Sequence, residues 1–131
     1  MIDTTQVIYE WLTTSGTGLY TLCATRIWWV AAPPAFDNSA DAIIYHPEAE
    51  PTHPIAAVHT PTFVFKCYGG AATYTSARTV YRALYDRLHN EQGAKTAGAI
   101  MMAHQLTAQA LPPDPDTGWP AWMARYEIVL Q

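Results

Sequence analysis

The chain has 131 residues, the usual size of one domain; half of them are hydrophobic and only 14% are charged. This composition excludes an intrinsically disordered segment, and the net charge of -4 excludes a chain that is basic overall, as nucleic-acid-binding domains commonly are. The N-terminus lacks the regions of a signal peptide, and no stretch approaches the ~20 apolar residues of a membrane span. We therefore expect a single domain over residues 1–131 with no membrane partner.

The N-terminal third predicts one helix and two short strands. Residues 3–14 begin with Asp3, a good helix N-cap, and continue with apolar residues at helical spacing. Residues 26–30 form a β-branched and aromatic run that is typical of a strand. Residues 42–45 form a second such run, which we expect to end before Pro47 because proline lacks a ladder donor.

The middle of the chain predicts a loop, a strand and the clearest helix. Four prolines in residues 47–61 favour an extended loop over a central strand. Residues 62–68 alternate between apolar and more polar positions, as a half-buried strand does. Residues 76–90 carry an apolar stripe at helical spacing, with Thr75 or Ser76 as the expected cap.

The C-terminal part predicts two long strands, residues 97–111 and 122–130, separated by a proline-rich loop at 112–118. The two runs are expected to pair in antiparallel fashion, although the loop is too long for a tight hairpin. On the first strand, strict alternation places one set of side chains on a single face: Ile100, Met102, His104 and Leu106.

The resulting element order is helix, two strands, loop, strand, helix, two strands. An economical way to bury the apolar faces of such elements is to pack the helices against one side of a sheet. The sequence therefore predicts an α+β fold, a two-layer sandwich with a mostly antiparallel sheet and two helices on one face.

Motifs of catalysis are absent from the sequence. It contains no phosphate-binding loop, no nucleophile elbow and no HExxH pair. Cys23 and Cys67 have no metal-ligand spacing, and the place of Cys67 in an alternating strand favours a packed thiol over a nucleophile. We therefore expect no catalytic residues and no cofactor.

A histidine- and glutamate-rich segment is the strongest candidate for a metal site. Imidazoles and carboxylates are suitable ligands for a transition metal, and a small metal-dependent enzyme is one hypothesis for this segment. The spacing matches no regular site, however, and the intervening prolines favour a solvated loop. The residues concerned are His46, Glu48, Glu50, His53 and His59.

A set of three arginines and a pair of aspartates could each be functional or could simply be part of the solvated surface. Arg78, Arg82 and Arg87 on the second helix could touch phosphate, but the intervening acidic residue and the net acidic chain favour a solvated helix face. Asp114 and Asp116 lie in an Asp-Pro-Asp-Thr-Gly sequence, which is typical of a turn.

The order of these elements resembles the tail-terminator or tail-completion proteins of long-tailed bacteriophages, the group that includes the lambda-type terminator. The segments that carry the resemblance are DTTQVIYEWLTT, TRIWWVAAP, AIIYHPE, FVFKCYGGAATYTSARTVYRALYDRLHN, the DPDTG loop and WMARYEIVL. They span nearly the whole chain and are patterns of element order with no catalytic signature. The proline-rich segment 47–61 is longer than this pattern leads us to expect.

The resemblance implies a structural virion protein that is not an enzyme and has no metal or cofactor. Members of this group form a ring, commonly of six subunits, on the head-proximal end of the tail tube. The ring stops tube polymerisation and joins the tail to the head connector, and DNA passes through its lumen without specific binding. The implied partners are further copies of the chain, the tail-tube protein and a head–tail connector protein. The implied location is the virion at the head–tail interface, and the host cytoplasm during assembly. The alternative within the same setting is a head-side connector adaptor or stopper.

Candidate interface residues follow from this role and from the composition. Aromatic residues are enriched at subunit interfaces, and Trp28 and Trp29 are adjacent in a strand, so they must point to opposite faces. The two long loops are the other candidates, because long loops in small domains are commonly functional. The predicted assembly residues are Trp28, Trp29, His46, Glu48, Glu50, His53, His59, Asp114, Asp116 and Trp119.

Overall fold

The structure is a computed structural model, which describes residues 3–34, 36, 39–49, 59–115 and 118–131. The helices are α1 (Thr4–Leu12), α2 (Gly18–Cys23) and α3 (Tyr74–Leu88). The strands are β1 (Ile27–Trp29), β2 (Ala42–Ala49), β3 (Thr62–Tyr68), β4 (Gly93–Lys95), β5 (Gly98–Leu111) and β6 (Ala121–Leu130). None of the helices in these ranges is long and apolar enough to cross a bilayer.

One six-stranded sheet organises the domain, in the order β1-β2-β3-β6-β5-β4. Strands β1 and β2 run parallel, and all other neighbours run antiparallel, including the predicted pairing of the last two long strands. The α+β class and the mostly antiparallel sheet are therefore confirmed. Strand β1 forms one edge of the sheet. Near the opposite edge, the three-residue strand β4 pairs only with Gly98 to Ile100 at the start of β5.

All three helices contribute to one apolar core on a single face of the sheet. The predicted alternation of side chains is confirmed on the helix side, where Phe63 and Phe65 of β3 and Tyr126 of β6 are fully buried. The expectation that β3 is only half buried was wrong, since Val64 and Tyr68 on its other face are buried as well. The core is formed by Val7, Ile8, Trp11, Leu12, Leu19, Cys23, Ile27, Ile43, Tyr45, Phe63, Phe65, Cys67, Val80, Leu84, Leu88, Ile100, Ala103, Ala124, Tyr126, Ile128 and Leu130.

The helix boundaries correct two details of the sequence analysis. Asp3 caps α1 as predicted, because its carboxylate accepts from the backbone N–H groups of Thr5 and Gln6. For α3 the cap is Thr73, not Thr75 or Ser76, since Thr73 and Ser76 form a reciprocal capping box. The short helix α2 was not predicted, because six residues are too few to show a helical period.

Strand β2 continues through Pro47 to Ala49, so the prediction that it ends before Pro47 was wrong. The parallel neighbour β1 pairs only with residues Ile43 to Tyr45, and beyond that point the outer side of β2 carries no described strand. Proline is tolerated there because, among the described residues, no neighbouring strand needs its missing N–H group. Most of the predicted loop at 47–61 lies outside the described residues, which resume at His59.

Strand β5 is irregular, and the predicted face of Ile100, Met102, His104 and Leu106 was wrong. The register against β6 shifts between Ile100 and Met102 and again between Gln105 and Thr107. Each bulge adds one residue to β5 and reverses the side-chain alternation. Ile100 therefore shares the buried face with Ala103, whereas Met102 and Leu106 are about half exposed.

Candidate assembly surfaces

The two adjacent tryptophans of β1 have different environments, as their opposite directions require. Trp28 packs edge-on against Phe36, with ring centroids 4.8 Å apart. Trp29 points to the helix side but is not covered by a helix; 58% of it is exposed, and so is 58% of Val30. Val30 also adopts a left-handed φ of 70°, a strained conformation for a β-branched residue. Of the two tryptophans, Trp29 is the more exposed.

The predicted histidine-rich segment is only partly described. His46 lies on β2 opposite Val64, whereas His59 exchanges backbone hydrogen bonds of 2.8 Å with Leu130 at the end of β6. Glu48 forms an ion pair with Arg125, with 2.7 Å between Oε2 and Nε, and both side chains are substantially exposed. The predicted residues Glu50 and His53 lie outside the described residues.

The described ranges contain no group of three or more His, Cys, Asp or Glu side chains that could hold a metal ion. His46 lies on β2, whereas His59 forms an isolated bridge with the end of β6, and Glu48 is engaged by a guanidinium instead. In the described part of the segment, the arrangement therefore serves sheet pairing and surface charge.

The loop that follows β5 is anchored from within by Trp119. This residue is 7% exposed and stacks on Tyr68 at 4.1 Å, and its indole N–H donates to the carbonyl of Gly69. Asp114 accepts a 2.7 Å hydrogen bond from the N–H of Gly118 on its backbone carbonyl. The turn predicted around Asp114 is thus present, whereas the predicted residue Asp116 lies outside the described residues.

A groove between α3 and β6 is a feature that the sequence analysis did not identify. It has a volume of about 440 Å³ and is lined by Arg78, Tyr81, Arg82, Tyr85, Asp86 and Trp122. The ring of Tyr81 stacks on Trp122 at 5.7 Å, and its hydroxyl donates to Gln105 of β5. The groove therefore lies on the part of the sheet nearest β5. A hint in the sequence was the pair Arg78 and Arg82, but Trp122 joins them only through the tertiary fold.

The two arginines of this groove lack carboxylate partners among the described residues. Arg78 lies over the Trp122 ring at 5.8 Å, and Arg82 makes no ion pair with Asp86, which is one helical turn away. By contrast, Arg87 is held by Trp11, with its guanidinium 4.0 Å from the ring centre. The prediction of a solvated helix face is therefore confirmed for Arg82, which is exposed, and is wrong for Arg87, which packs on Trp11.

Both cysteines are buried free thiols, as predicted. Burial raises the pKa of Cys23 to about 12 and raises the pKa of Cys67 well above its ordinary value. A thiol that stays protonated at neutral pH is a poor nucleophile. These cysteines therefore act as small core residues.

Comparisons with known proteins give a structural likeness alone. No protein-family model matches the chain, and no curated protein matches its sequence. Among solved structures, the fold is similar to a chain of the virion of a native gene transfer agent particle, with a TM-score of 0.70 and 16% identity. The similarity covers 95% of this chain and 92% of that chain, so it extends over nearly the full length of both.

Proposed function

We propose that the protein is a structural virion component that acts as a tail terminator. In this role, copies of the chain form a ring on the head-proximal end of the tail tube, stop tube polymerisation and join the tail to the head connector. The observation that carries the proposal is the full-length fold similarity to a virion chain, at a TM-score of 0.70. The order of elements in the sequence, which resembles the terminator group, supports the finer assignment.

The surface of the chain suits a protein that works through contacts. Large exposed apolar side chains occur at both sides of the sheet: Trp29 and Val30 beside β1, and Met101, Met102 and Leu106 on β5. Exposed apolar groups of this kind favour association. Two different patches on opposite sides favour a head-to-tail arrangement, which closes into a ring when the rotation between copies allows it.

The remaining contacts belong to the tube and the connector. We assign these contacts to the segment around His46, Glu48, Glu50, His53 and His59 and to the loop containing Asp114 and Asp116. Trp119 supports that loop from the inside through its stacking on Tyr68. The net charge of -4 is compatible with a lumen through which DNA passes without specific binding, because a basic lumen would retain the polyanion.

Deletion of the gene, with plasmid-borne wild type as the control, tests this function. Electron micrographs of the deletion lysate should show heads without tails and tubes of uncontrolled length, and the plasmid should restore joined particles. Tubes of normal length that fail to join heads would contradict the terminator role and point instead to a head-side adaptor.

A further inference from the structure

We propose that Trp29 of one copy inserts into the groove between α3 and β6 of the next copy, so that one repeated contact builds the ring. The inference rests on the proposed function and deepens it by naming the two surfaces that meet. It commits to a second copy of this chain as the occupant of the groove.

Placement is the first argument. Trp29 lies on β1, the first strand of the sheet, whereas the groove lies over β6 and next to β5, on the other side. Trp29 therefore cannot reach the groove of its own chain, and a contact between the two must join separate copies. Because the two surfaces differ, the contact is heterologous and leaves one free Trp29 and one free groove at the ends of any open assembly.

Chemical complementarity is the second argument. The first surface carries Trp29, which is 58% exposed. The second surface is the groove of about 440 Å³ between α3 and β6, which has aromatic walls. Arg78 and Arg82 line that groove without carboxylate partners among the described residues, and guanidinium groups pack favourably on indole faces. Trp, Tyr and Arg are the residues most often found at interface hot spots.

Charge is the third argument. Among the described residues that line the concavity beside Trp29, Asp3 alone is charged. Hydrogen bonds from the Thr5 hydroxyl and the Gln6 backbone N–H lower the pKa of Asp3, so its carboxylate is ionised at neutral pH. The groove carries two arginines against one aspartate. The two surfaces therefore attract each other.

Backbone strain at the β1 side supports the same contact. Val30, directly after Trp29, has a φ of 70° and is 58% exposed. A β-branched residue is strained in this region, and such strain clusters at sites of function. We interpret it as holding the end of β1 so that Trp29 projects from the sheet.

Mixing two half-interface variants tests the proposal. Trp29→Ala removes the inserted indole and keeps the groove, whereas the double variant Arg78→Glu, Arg82→Glu reverses the charge of the groove and keeps the indole. Each variant alone should fail to form rings in sedimentation velocity, because the loss of either half of the contact weakens association by about thirtyfold or more. An equimolar mixture should form a dimer through its one intact contact and go no further.

Matched controls separate this contact from general effects of charge and folding. Lys66→Glu reverses a charge on the opposite face of the sheet and should leave the rings of the wild type intact. Circular dichroism and thermal unfolding should show that all variants are folded. As a second measurement, Val30→Cys, which keeps the Trp29 ring, mixed with Arg82→Cys should give an intermolecular disulfide, whereas the two native cysteines, being buried, should not cross-link.

Rings that persist in both variants, or mixed variants that neither dimerise nor cross-link, overturn the proposal. If the groove variant keeps its rings but loses binding to a poly-glutamate peptide or to duplex DNA, the occupant is that other ligand, and the proposal is also overturned. These outcomes leave the terminator role standing, because its test is tail length in the deletion lysate. Tubes of normal length together with an intact Trp29 contact would overturn the role alone.

Discussion

Trp11 and Arg87 show how a single residue pair joins distant parts of this chain. The Trp11 indole N–H donates to the carbonyl of Arg87 at 2.9 Å, and the Arg87 Nε donates to the carbonyl of Trp11 at 3.0 Å. The guanidinium also lies 4.0 Å from the centre of the Trp11 ring. The pair therefore ties the end of α1 to the end of α3 by polar and stacking contacts together.

Replacement of Arg87 tests the strength of this tie. Arg87→Ala should lower the free energy of unfolding by about 2 kcal/mol, because it removes a charge-assisted hydrogen bond and a cation–π contact. Arg82→Ala on the same helix is the matched control and, at concentrations where the protein is monomeric, should change stability by less than about 0.5 kcal/mol. Urea denaturation measures both, and equal effects of the two variants would refute the assignment.

At the scale of elements, the junction between β3 and α3 depends on close backbone approach. A Cβ atom added to Gly69 would lie 1.9 Å from the Ser76 hydroxyl oxygen and 2.6 Å from the backbone nitrogen of Ala77. The first turn of α3 therefore packs directly on the end of β3. The same glycine carbonyl receives the indole N–H of Trp119, so the junction also positions the loop after β5.

Substitution of Gly69 by alanine should push the first turn of α3 away from the end of β3. Gly69→Ala should cost more than about 2 kcal/mol of stability, because backbone atoms cannot move aside as a flexible side chain can. Gly18→Ala is the control: nothing lies within 4 Å of its added Cβ, and it begins α2, so we expect no loss or a gain of up to about 1 kcal/mol. A neutral Gly69→Ala in thermal unfolding would disprove the close packing.

At the scale of the whole molecule, the core contains thiol and phenol groups that burial keeps in their protonated, neutral form. Burial raises the pKa values of Cys23 and Cys67, and it also raises those of Tyr45 and Tyr126. Above the ordinary thiol pKa, the unfolded chain loses protons that the folded chain keeps. The unfolded state then binds fewer protons, so stability falls as pH rises.

Unfolding in urea between pH 7 and pH 10 measures this dependence. Stability should be flat up to about pH 8 and then fall with a slope that approaches about 1.4 kcal/mol per pH unit for each buried thiol by about pH 9.5. The double variant Cys23→Ala, Cys67→Ala should lose most of this slope below pH 10, where the tyrosines contribute little. A wild-type protein with constant stability up to pH 10 would contradict neutral, buried thiols.

The local patterns of the sequence were sufficient for most elements and for the fold class. Asp3 caps α1, the apolar stripe of α3 faces the core, and β3 and β6 alternate as predicted, because these properties depend on side-chain periods of a few residues. The candidate site was less predictable. Trp29 was included among the interface residues, but the sequence could not tell its exposure from that of Trp28.

Features that depend on neighbours were decided by the tertiary structure alone. Pro47 is accommodated in β2 because β1 has already ended beside it, and the two bulges of β5 appear only in its register with β6. The groove joins Arg78 and Arg82 to Trp122, which is 44 and 40 residues further along the chain, since α3 packs on β6. The sequence by itself thus determined an aromatic-rich, charge-poor α+β domain without catalytic motifs. Which aromatic side chains are exposed and which line a groove was decided by packing, because exposure depends on residues far away in the chain.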